Sequence, residues 1–224
     1  FMMQVDVLSW KIRNFVEKAQ RAGCQTVFIG MESINTDNLK AAGKTQNNVE
    51  ENSRLIETYR AADISTHVGY IIGFPGDTPD SVQRDLARLE KEVRPDHFSF
   101  FMLTPLPGSC DHVEMARRGE WMHPDFNLYD SHHEVTVHPH LKNGEWTQLY
   151  FHAWRKFYSL ENMRAVLRHS SPRTYWNNLL RFFWYKNSIQ TEGRHPMMCG
   201  FFRLKGRRDR RPGFPVLSRW QYFR

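Results

Sequence analysis

The stretch Gly69-Tyr-Ile-Ile-Gly-Phe-Pro-Gly-Asp-Thr78 decides the fold class, because it joins a β-rich apolar run to a glycine turn and a helix start. The strand is predicted to begin at Thr66 and to end at Gly73. Pro79 follows at the first helical position, and Asp80 lies near the positive end of the helix dipole. A strand that passes directly into a helix is typical of a parallel sheet.

Two similar units flank this one. Short β-rich runs over residues 25–30 and 97–103 predict two further strands, and amphipathic patterns predict helices over residues 8–22, 35–42 and 48–62. Alternation of helices and strands favours a parallel sheet with right-handed crossovers. The first predicted helix has no strand before it, and three strands alone leave two open edges.

We therefore interpret residues 1–116 as the C-terminal half of a larger barrel. The alternative is a small three-stranded domain whose edges are covered by the C-terminal region. Residues 117–168 are predicted to form an irregular His-rich connection and a helix that breaks near Ser159. Residues 169–224 form a basic, aromatic C-terminal extension with a second helix over residues 176–189.

The composition excludes several protein classes. Of the 224 residues, 25% are charged and 14% are aromatic, which excludes an ordinary disordered chain. No apolar run reaches about 18 residues, and no basic start precedes an apolar stretch, so neither a transmembrane helix nor a signal peptide is expected. Cys24, Cys110 and Cys199 are odd in number and far apart, which predicts a reducing cytoplasm.

The net charge of +7 is concentrated at one end of the chain. Residues 164–224 contain fourteen basic and two acidic residues, a net +12, which leaves −5 for residues 1–163. The basic, aromatic run over residues 201–214 fits nucleic-acid binding, but a solvated tail is favoured. Residues 176–186 fit a membrane interface, but a packed helix is favoured. A membrane surface thus stays open as a partner, whereas nucleic acid is not expected.

Three segments come directly after the predicted strands, over residues 30–35, 73–78 and 104–109. In a parallel α/β barrel the strand C-termini point to one face, which carries the active site. Glu32 there can accept hydrogen bonds from a ribose hydroxyl or an ammonium group, and glycines let backbone approach a ligand. An equally weighted alternative is that the turns are plain connectors and the carboxylate caps a helix.

The same segments carry a family resemblance. Residues 27–33, 69–78 and 103–109 resemble, in order, the back half of a radical S-adenosylmethionine (SAM) enzyme. The branch that they resemble most has an N-terminal cobalamin-binding domain. The region from Tyr129 to Tyr158 is similar to the part of those enzymes that lies after the barrel, so the resemblance covers about residues 1–168.

The resemblance implies a partial (β/α)6 TIM-type barrel, followed in this chain by a mainly helical basic extension. In the family a Cys-x3-Cys-x2-Cys loop holds a [4Fe-4S] cluster, and reductive cleavage of SAM there starts radical chemistry. A reductant such as flavodoxin or ferredoxin supplies the electron. With cobalamin, the implied transferase reaction is methyl transfer to an unactivated carbon, on a small-molecule or lipid-like substrate.

The resemblance also implies site residues. The residues expected to contact SAM are Glu32, Ser33, Gly73, Phe74, Pro75 and Gly76. The residues expected at the substrate mouth are Thr104, Pro105, Pro107 and Gly108. No catalytic residue and no metal ligand is assigned.

The cluster motif is absent, because three scattered cysteines do not provide thiolates at a fixed geometry. We therefore expect the cluster ligands in a missing N-terminal half of the same protein, and little activity from this chain alone. The alternative is a cluster-free relative that binds SAM or substrate without chemistry.

A histidine-rich run is a further candidate. It contains His132, His133, Glu134, His138 and His140. Imidazoles suit zinc, iron or copper, but the spacings fit no standard zinc module. A hydrogen-bonded loop is favoured, and a general acid–base role for one histidine stays open.

Overall fold

The computed structural model describes residues 1–41, 49–191 and 193–198. They belong to two compact units, Phe1–Ala153 and Trp154–Arg224. The first unit contains a parallel sheet of four strands: β1 (Met2–Val5), β2 (Thr26–Glu32), β3 (Ser65–Ile72) and β4 (His97–Met102). Each strand pairs with the next one along the chain, in the order β1-β2-β3-β4. This sequential order does not reverse, whereas that of a doubly wound sheet does.

Helices connect the strands. They are α1 (Phe15–Arg21), α2 (Thr36–Ala41), α3 (Val49–Ala61) and α4 (Pro79–Arg88), and a π-helical turn at Leu89–Val93 continues α4. The parallel sheet and the three predicted strands are confirmed, each strand to within two residues at its ends. Helix α4 begins as predicted at Pro79, and the Thr78 and Ser81 side chains cap it reciprocally. The predicted helix ends at residues 42 and 48 lie outside the described residues.

The prediction for the first residues was wrong. Instead of a helix without a preceding strand, Met2–Val5 forms a strand that pairs with β2 from Met2↔Thr26 to Val5↔Ile29. A 3₁₀ turn at Ser9–Lys11 comes next, and α1 starts only after Asn14, whose left-handed backbone (φ 59°) interrupts the helix. A four-residue edge strand is too short for its periodicity to be recognised.

The two faces of the sheet differ in burial. One face carries side chains that are almost fully buried, among them Val27, Ile29, Val68, Ile72, Phe98 and Phe100. Helices α3 and α4 bury apolar stripes of their own, and α3 contacts β3. The opposite face is half-exposed at Phe28, Glu32, Ile71 and Phe101. A strand points alternate side chains to opposite faces, so the second face is the one that remains accessible to a ligand.

After β4 the first unit contains α5 (Cys110–Arg117), a 3₁₀ turn at Phe126–Leu128 and an isolated antiparallel bridge between Met122 and Thr136. Helix α6 (Glu145–Phe157) begins within this unit. The irregular connection predicted after Ala116 is therefore found, with Ser159 separating α6 from the next helix.

The second unit contains α7 (Leu160–His169), α8 (Tyr175–Gln190) and a 3₁₀ turn at Pro196–Met198. The predicted break near Ser159 is confirmed, because its hydroxyl accepts from the Asn162 N–H and caps α7. The expectation for residues 201–214 lies outside the described residues. Among the described residues, no helix is both long enough and apolar enough to span a lipid bilayer.

Candidate functional site

The three predicted segments lie at the ends of neighbouring strands. Strand pairing joins Glu32 to Tyr70 and Ile72 to Met102, so the segments after β2, β3 and β4 lie side by side at one edge of the sheet. This juxtaposition agrees with the expectation from the sequence. The ligand-binding roles of the individual residues remain predictions.

Glu32 lies on the half-open face of the sheet. Its backbone is left-handed (φ 64°), and the register between β2 and β3 shifts between Gly30 and Glu32. A Cβ added at Gly30 would lie 2.9 Å from Glu32 Oε1, so the carboxylate lies directly over this glycine. The bulge thus aims an acidic group across the accessible face, where it suits an ammonium group or a sugar hydroxyl.

Ser33, in contrast, is fully buried. Its hydroxyl accepts from the Asn35 N–H at 3.0 Å and from Asn38 Nδ2 at 3.5 Å. These contacts hold the chain that leads into α2. The Ser33 hydroxyl is therefore engaged within the protein, and Glu32 is the side chain of this pair that faces the open side.

The backbone of the turn after β3 is hydrogen-bonded by the side chain of Asp77, which is buried. Its Oδ2 accepts from the backbone N–H groups of Gly73 (2.8 Å) and Phe74 (2.9 Å). Its Oδ1 accepts from Asn38 Nδ2 at 2.6 Å, which joins the turn to α2. The sequence analysis missed both residues, because Asp77 bonds N–H groups three and four positions before it, which is not the forward bond of an Asx turn.

The same turn is covered from its other side by Trp146. Gly73 has a φ of 107°, and a Cβ there would lie 2.2 Å from the Trp146 ring. Gly73 and Phe74 are buried, whereas Pro75 and Gly76 are exposed. Of the six residues predicted to contact SAM, the four in this turn thus divide into two that are buried and two that are exposed.

A second carboxylate lies behind the turn. The Tyr70 hydroxyl donates to Asp85 Oδ2 at 3.4 Å. Burial, and then the charge of Asp77, raise the pKa of Asp85 to about 6. Burial, and then the charge of Asp85, raise the pKa of Tyr70 well above its usual value. This buried cluster therefore responds to mild acid.

Burial varies along the third segment, residues 104–109, which follows β4. Pro105 is buried, while Pro107 and Gly108 are exposed and Gly108 has a φ of 86°. The Thr104 hydroxyl donates to the Met102 carbonyl at 3.0 Å, and Ser109 caps α5. Helix α5 has no buried residue. The ends of the strands are thus more exposed at this segment, and its role as a substrate mouth stays a prediction.

The half-open face carries further groups that the sequence analysis missed. The rings of Phe28 and Phe101 flank Gly69, where an added Cβ would lie 2.8 Å and 3.5 Å from them. Deeper in the sheet, His67 Nε2 and Ser99 Oγ are 2.8 Å apart. Below the strand ends, the face therefore combines aromatic rings with a buried imidazole–hydroxyl pair.

The histidine run serves hydrogen bonding. His132 bonds the Tyr150 hydroxyl (2.9 Å), and His133 bonds the Asp130 carboxylate (3.0 Å). Both nitrogens of His138 are engaged, Nδ1 by backbone N–H groups and Nε2 by the Phe74 carbonyl. Such a ring has no lone pair left for a metal. Over residues 1–41, 49–191 and 193–198, no three His, Cys, Asp or Glu side chains are grouped to hold a metal.

The described cysteines do not suit a [4Fe-4S] cluster. Cys24 is buried and its thiol donates to the Thr26 carbonyl, while Cys110 is exposed on α5. Cys199 lies outside the described residues. A cluster needs several thiolates that converge, and Cys24 and Cys110 do not provide them. The carboxylate of Glu32 and the anchored glycine turn after β3 lie, in contrast, at neighbouring strand ends.

Comparisons with known proteins found methyltransferases among the curated relatives. No family model matches the chain. Bacteriochlorophyllide d C-12(1)-methyltransferase of Chlorobaculum tepidum is 31% identical over 138 residues, 59% of this chain and 29% of that protein. The C-8(2)-methyltransferase of the same organism is 30% identical over 54% of this chain and 27% of that protein. The chain therefore spans less than a third of these curated relatives.

Solved structures share the fold. Coproporphyrinogen III oxidase (HemN) of Escherichia coli, a radical SAM enzyme, matches 70% of this chain and 31% of its own, with 18% identity and a TM-score of 0.50. The radical SAM methyltransferase TsrM of Kitasatospora setae, solved with cobalamin and a [4Fe-4S] cluster, matches 78% of this chain and 36% of its own, with 16% identity and a TM-score of 0.50. The α/β fold with a parallel sheet is thus one that radical SAM enzymes have.

Proposed function

We propose that this chain is the SAM-binding back half of a radical SAM methyltransferase. The observation that carries the proposal is that Glu32, which pairs with Tyr70, and the Gly73–Gly76 turn lie at the ends of adjacent strands, beside the half-open face. The methyltransferase names of the curated relatives support methyl transfer as the reaction class. The rest of the complete protein would supply the cluster ligands.

Each residue has a distinct task in this proposal. Glu32 accepts hydrogen bonds from the ammonium group or the ribose of SAM, and the backbone of Pro75 and Gly76 lines the adjacent side. The cluster and, in the cobalamin branch, the corrinoid supply the electron and the methyl carrier when they are bound. The substrate approaches over Pro107 and Gly108, and a partner reductant such as flavodoxin or ferredoxin reaches the cluster from outside the chain.

The test uses the complete protein, produced and reconstituted with iron and sulfide without oxygen. Equilibrium dialysis with SAM measures binding, and product analysis measures cleavage or methyl transfer. Glu32→Gln should weaken SAM binding about tenfold or more, as expected for a lost charge-assisted hydrogen bond. Glu57→Gln is the matched control, because Glu57 is an exposed residue of α3.

The outcomes separate the candidates. No SAM binding by the wild-type protein would end the proposal. Binding without any cleavage or transfer, in a protein that also fails to take up iron and sulfide, would favour the cluster-free binding relative. Equal losses in the Glu32 and Glu57 variants would show that Glu32 has no special place in the site.

A second candidate function is that of an adaptor at an anionic membrane, carried by α8 of the second unit. Trp176, Leu180 and Phe183 recur at spacings of four and three, and they are 68%, 54% and 41% exposed. The buried residues of the helix, among them Phe182 and Tyr185, account for the predicted packing. An exposed apolar stripe in a basic region is typical of interfacial helices.

Vesicle sedimentation tests the adaptor. Leu180→Glu, or neutralisation of Arg207, Arg208, Arg210 and Arg211 outside the described residues, should remove binding to anionic vesicles that falls steeply with salt. Unchanged sedimentation in both variants, or none in the wild-type protein, would reject this function.

A further inference from the structure

Two residues of the segment from His138 to Trp146 form hydrogen bonds with the backbone of the turn after β3. His138 lies 64 positions after Phe74 and bonds its carbonyl at 2.9 Å. Trp146 donates its indole N–H to the Ile72 carbonyl at 2.8 Å, 74 positions away. The two rings meet edge to face, with centroids 5.2 Å apart. Two aromatic side chains from a distant segment therefore bond backbone carbonyls at residues 72 and 74.

The hydrogen bonds of His138 indicate which tautomer of the ring is present. Nδ1 accepts from the backbone N–H groups of Leu141 (2.9 Å) and His140 (3.1 Å). The proton of the neutral ring must then be on Nε2, which donates to the Phe74 carbonyl. His138 is buried, so both contacts are made away from solvent. The imidazole acts as a rigid bridge between its own loop and the turn.

The contacts from the two sides of the turn are complementary. Asp77 accepts hydrogen bonds from the N–H groups of Gly73 and Phe74. Trp146 donates to the Ile72 carbonyl, and His138 bonds the Phe74 carbonyl. The backbone of residues 72–74 is thus bonded on both sides, which leaves Pro75 and Gly76 as the part that faces solvent. A turn fixed in this way loses little conformational entropy when a ligand binds.

We propose that His138 and Trp146 are positioning residues that hold the Gly73–Gly76 turn in its ligand-binding form, so that the segment after the sheet is part of the site. The proposal rests on the proposed binding of SAM at this turn. It also assigns a task to the histidine run that requires neither a metal nor proton transfer. Neither side chain needs to touch the ligand.

Two variants of His138 separate the contacts. His138→Asn keeps an acceptor near the Nδ1 position for the loop but removes the donor to Phe74. His138→Gln keeps a donor near the Nε2 position and loses the acceptor. Trp146→Phe keeps an aromatic ring at this position, removes the bond to Ile72, and leaves a smaller ring beside Gly73. His132→Asn is the control, since it removes an imidazole from the same loop that bonds Tyr150 and not the turn.

The experiment measures SAM dissociation constants and hydrogen–deuterium exchange of the peptide over residues 70–78 in the complete protein. We expect His138→Asn and Trp146→Phe each to raise the Kd about tenfold, as for one lost buried hydrogen bond. Exchange at Gly73 and Phe74 should accelerate in the same variants. His138→Gln and the control should stay within about twofold of the wild-type Kd, a difference too small to represent a lost bond.

The outcomes are distinct from those of the proposed function. If the wild-type protein binds no SAM, the proposed function fails, and the exchange data alone decide whether the segment holds the turn. If the wild-type protein binds SAM and His138→Asn binds it equally well, the positioning role is wrong. Equal losses in His138→Asn, His138→Gln and the control would also overturn it, because they would reflect general loosening of the loop.

Discussion

Asn38 donates its side-chain amide to the carboxylate of Asp77 across 2.6 Å, although the two residues are 39 positions apart. Both side chains are buried. Through this bond the start of α2, which comes after the Glu32 segment, is tied to the turn after β3. A buried hydrogen bond therefore connects the two segments that are predicted to contact the ligand.

The first prediction concerns this bond. Asn38→Ala should lower the free energy of unfolding by about 1–3 kcal/mol, because a buried carboxylate loses a donor. Asn38→Asp has the same shape but places a second carboxylate against Asp77, so it should cost more at pH 7. Urea unfolding at pH 7 and pH 5 measures both. The Asn38→Asp deficit should shrink at pH 5, and a deficit that does not depend on pH would contradict the assigned contact.

The second prediction concerns Gly73. Gly73→Ala should lower the free energy of unfolding by more than about 3 kcal/mol, since strain at positive φ adds to a collision with the Trp146 ring. Gly108→Ala is the matched control, because its φ of 86° is also positive and nothing lies within 4 Å of its added Cβ.

The control variant should lose only about 1–2 kcal/mol, the cost of a left-handed backbone. Urea unfolding of the two variants side by side gives the comparison. Equal losses would mean that the Trp146 ring yields to the added methyl group, so that the turn is less tightly covered than the distances indicate.

The third prediction concerns the cap of α4. Thr78→Ala removes the side-chain acceptor for the Ser81 N–H and should cost about 1 kcal/mol. Ser109→Ala removes the equivalent cap of α5. Because α5 has no buried residue, its loosening should change the global unfolding free energy much less. Denaturation midpoints measure the pair, and a larger effect at Ser109 would contradict the ranking of the two helices.

Local sequence was enough to predict the central β3–α4 unit. Branched residues before Gly73, a glycine turn and Thr78-Pro79-Asp80 each specify a local conformation, and all of them agree. β1 was missed for the opposite reason. Four residues cannot display a period, and Met2–Val5 becomes a strand through its pairing with β2.

The position of the candidate site was predictable from the sequence. The hydrogen bonds that hold its glycine turn in place were not. That Glu32 and the Gly73–Gly76 turn share one edge follows from parallel strands alone. The contacts of Asn38, His138 and Trp146 with the turn join positions 39, 64 and 74 residues apart. No periodicity or spacing encodes such contacts, because they depend on how the connections pack in three dimensions.

The last prediction concerns Asp85, whose pKa is raised from 3.8 to about 6 by burial and then by Asp77. A carboxyl group with a raised pKa binds its proton more tightly in the folded state. Ionised Asp85 therefore destabilises the fold above pH 6, and this cost disappears as the pH falls from 6 towards 4. At pH 7.5 it amounts to about 3 kcal/mol at most.

Asp85→Asn removes the ionisation and keeps the shape, so the variant should be more stable than the wild-type protein at pH 7.5 and lose this advantage by pH 4. Urea unfolding at pH 4, 5, 6 and 7.5 tests the slope as well as the sign. Glu57→Gln, at an exposed position of α3 away from the start of the helix, controls for the change in net charge. If the advantage of Asp85→Asn were the same at every pH, a hydrogen bond made by the amide, and not the buried charge, would be its cause.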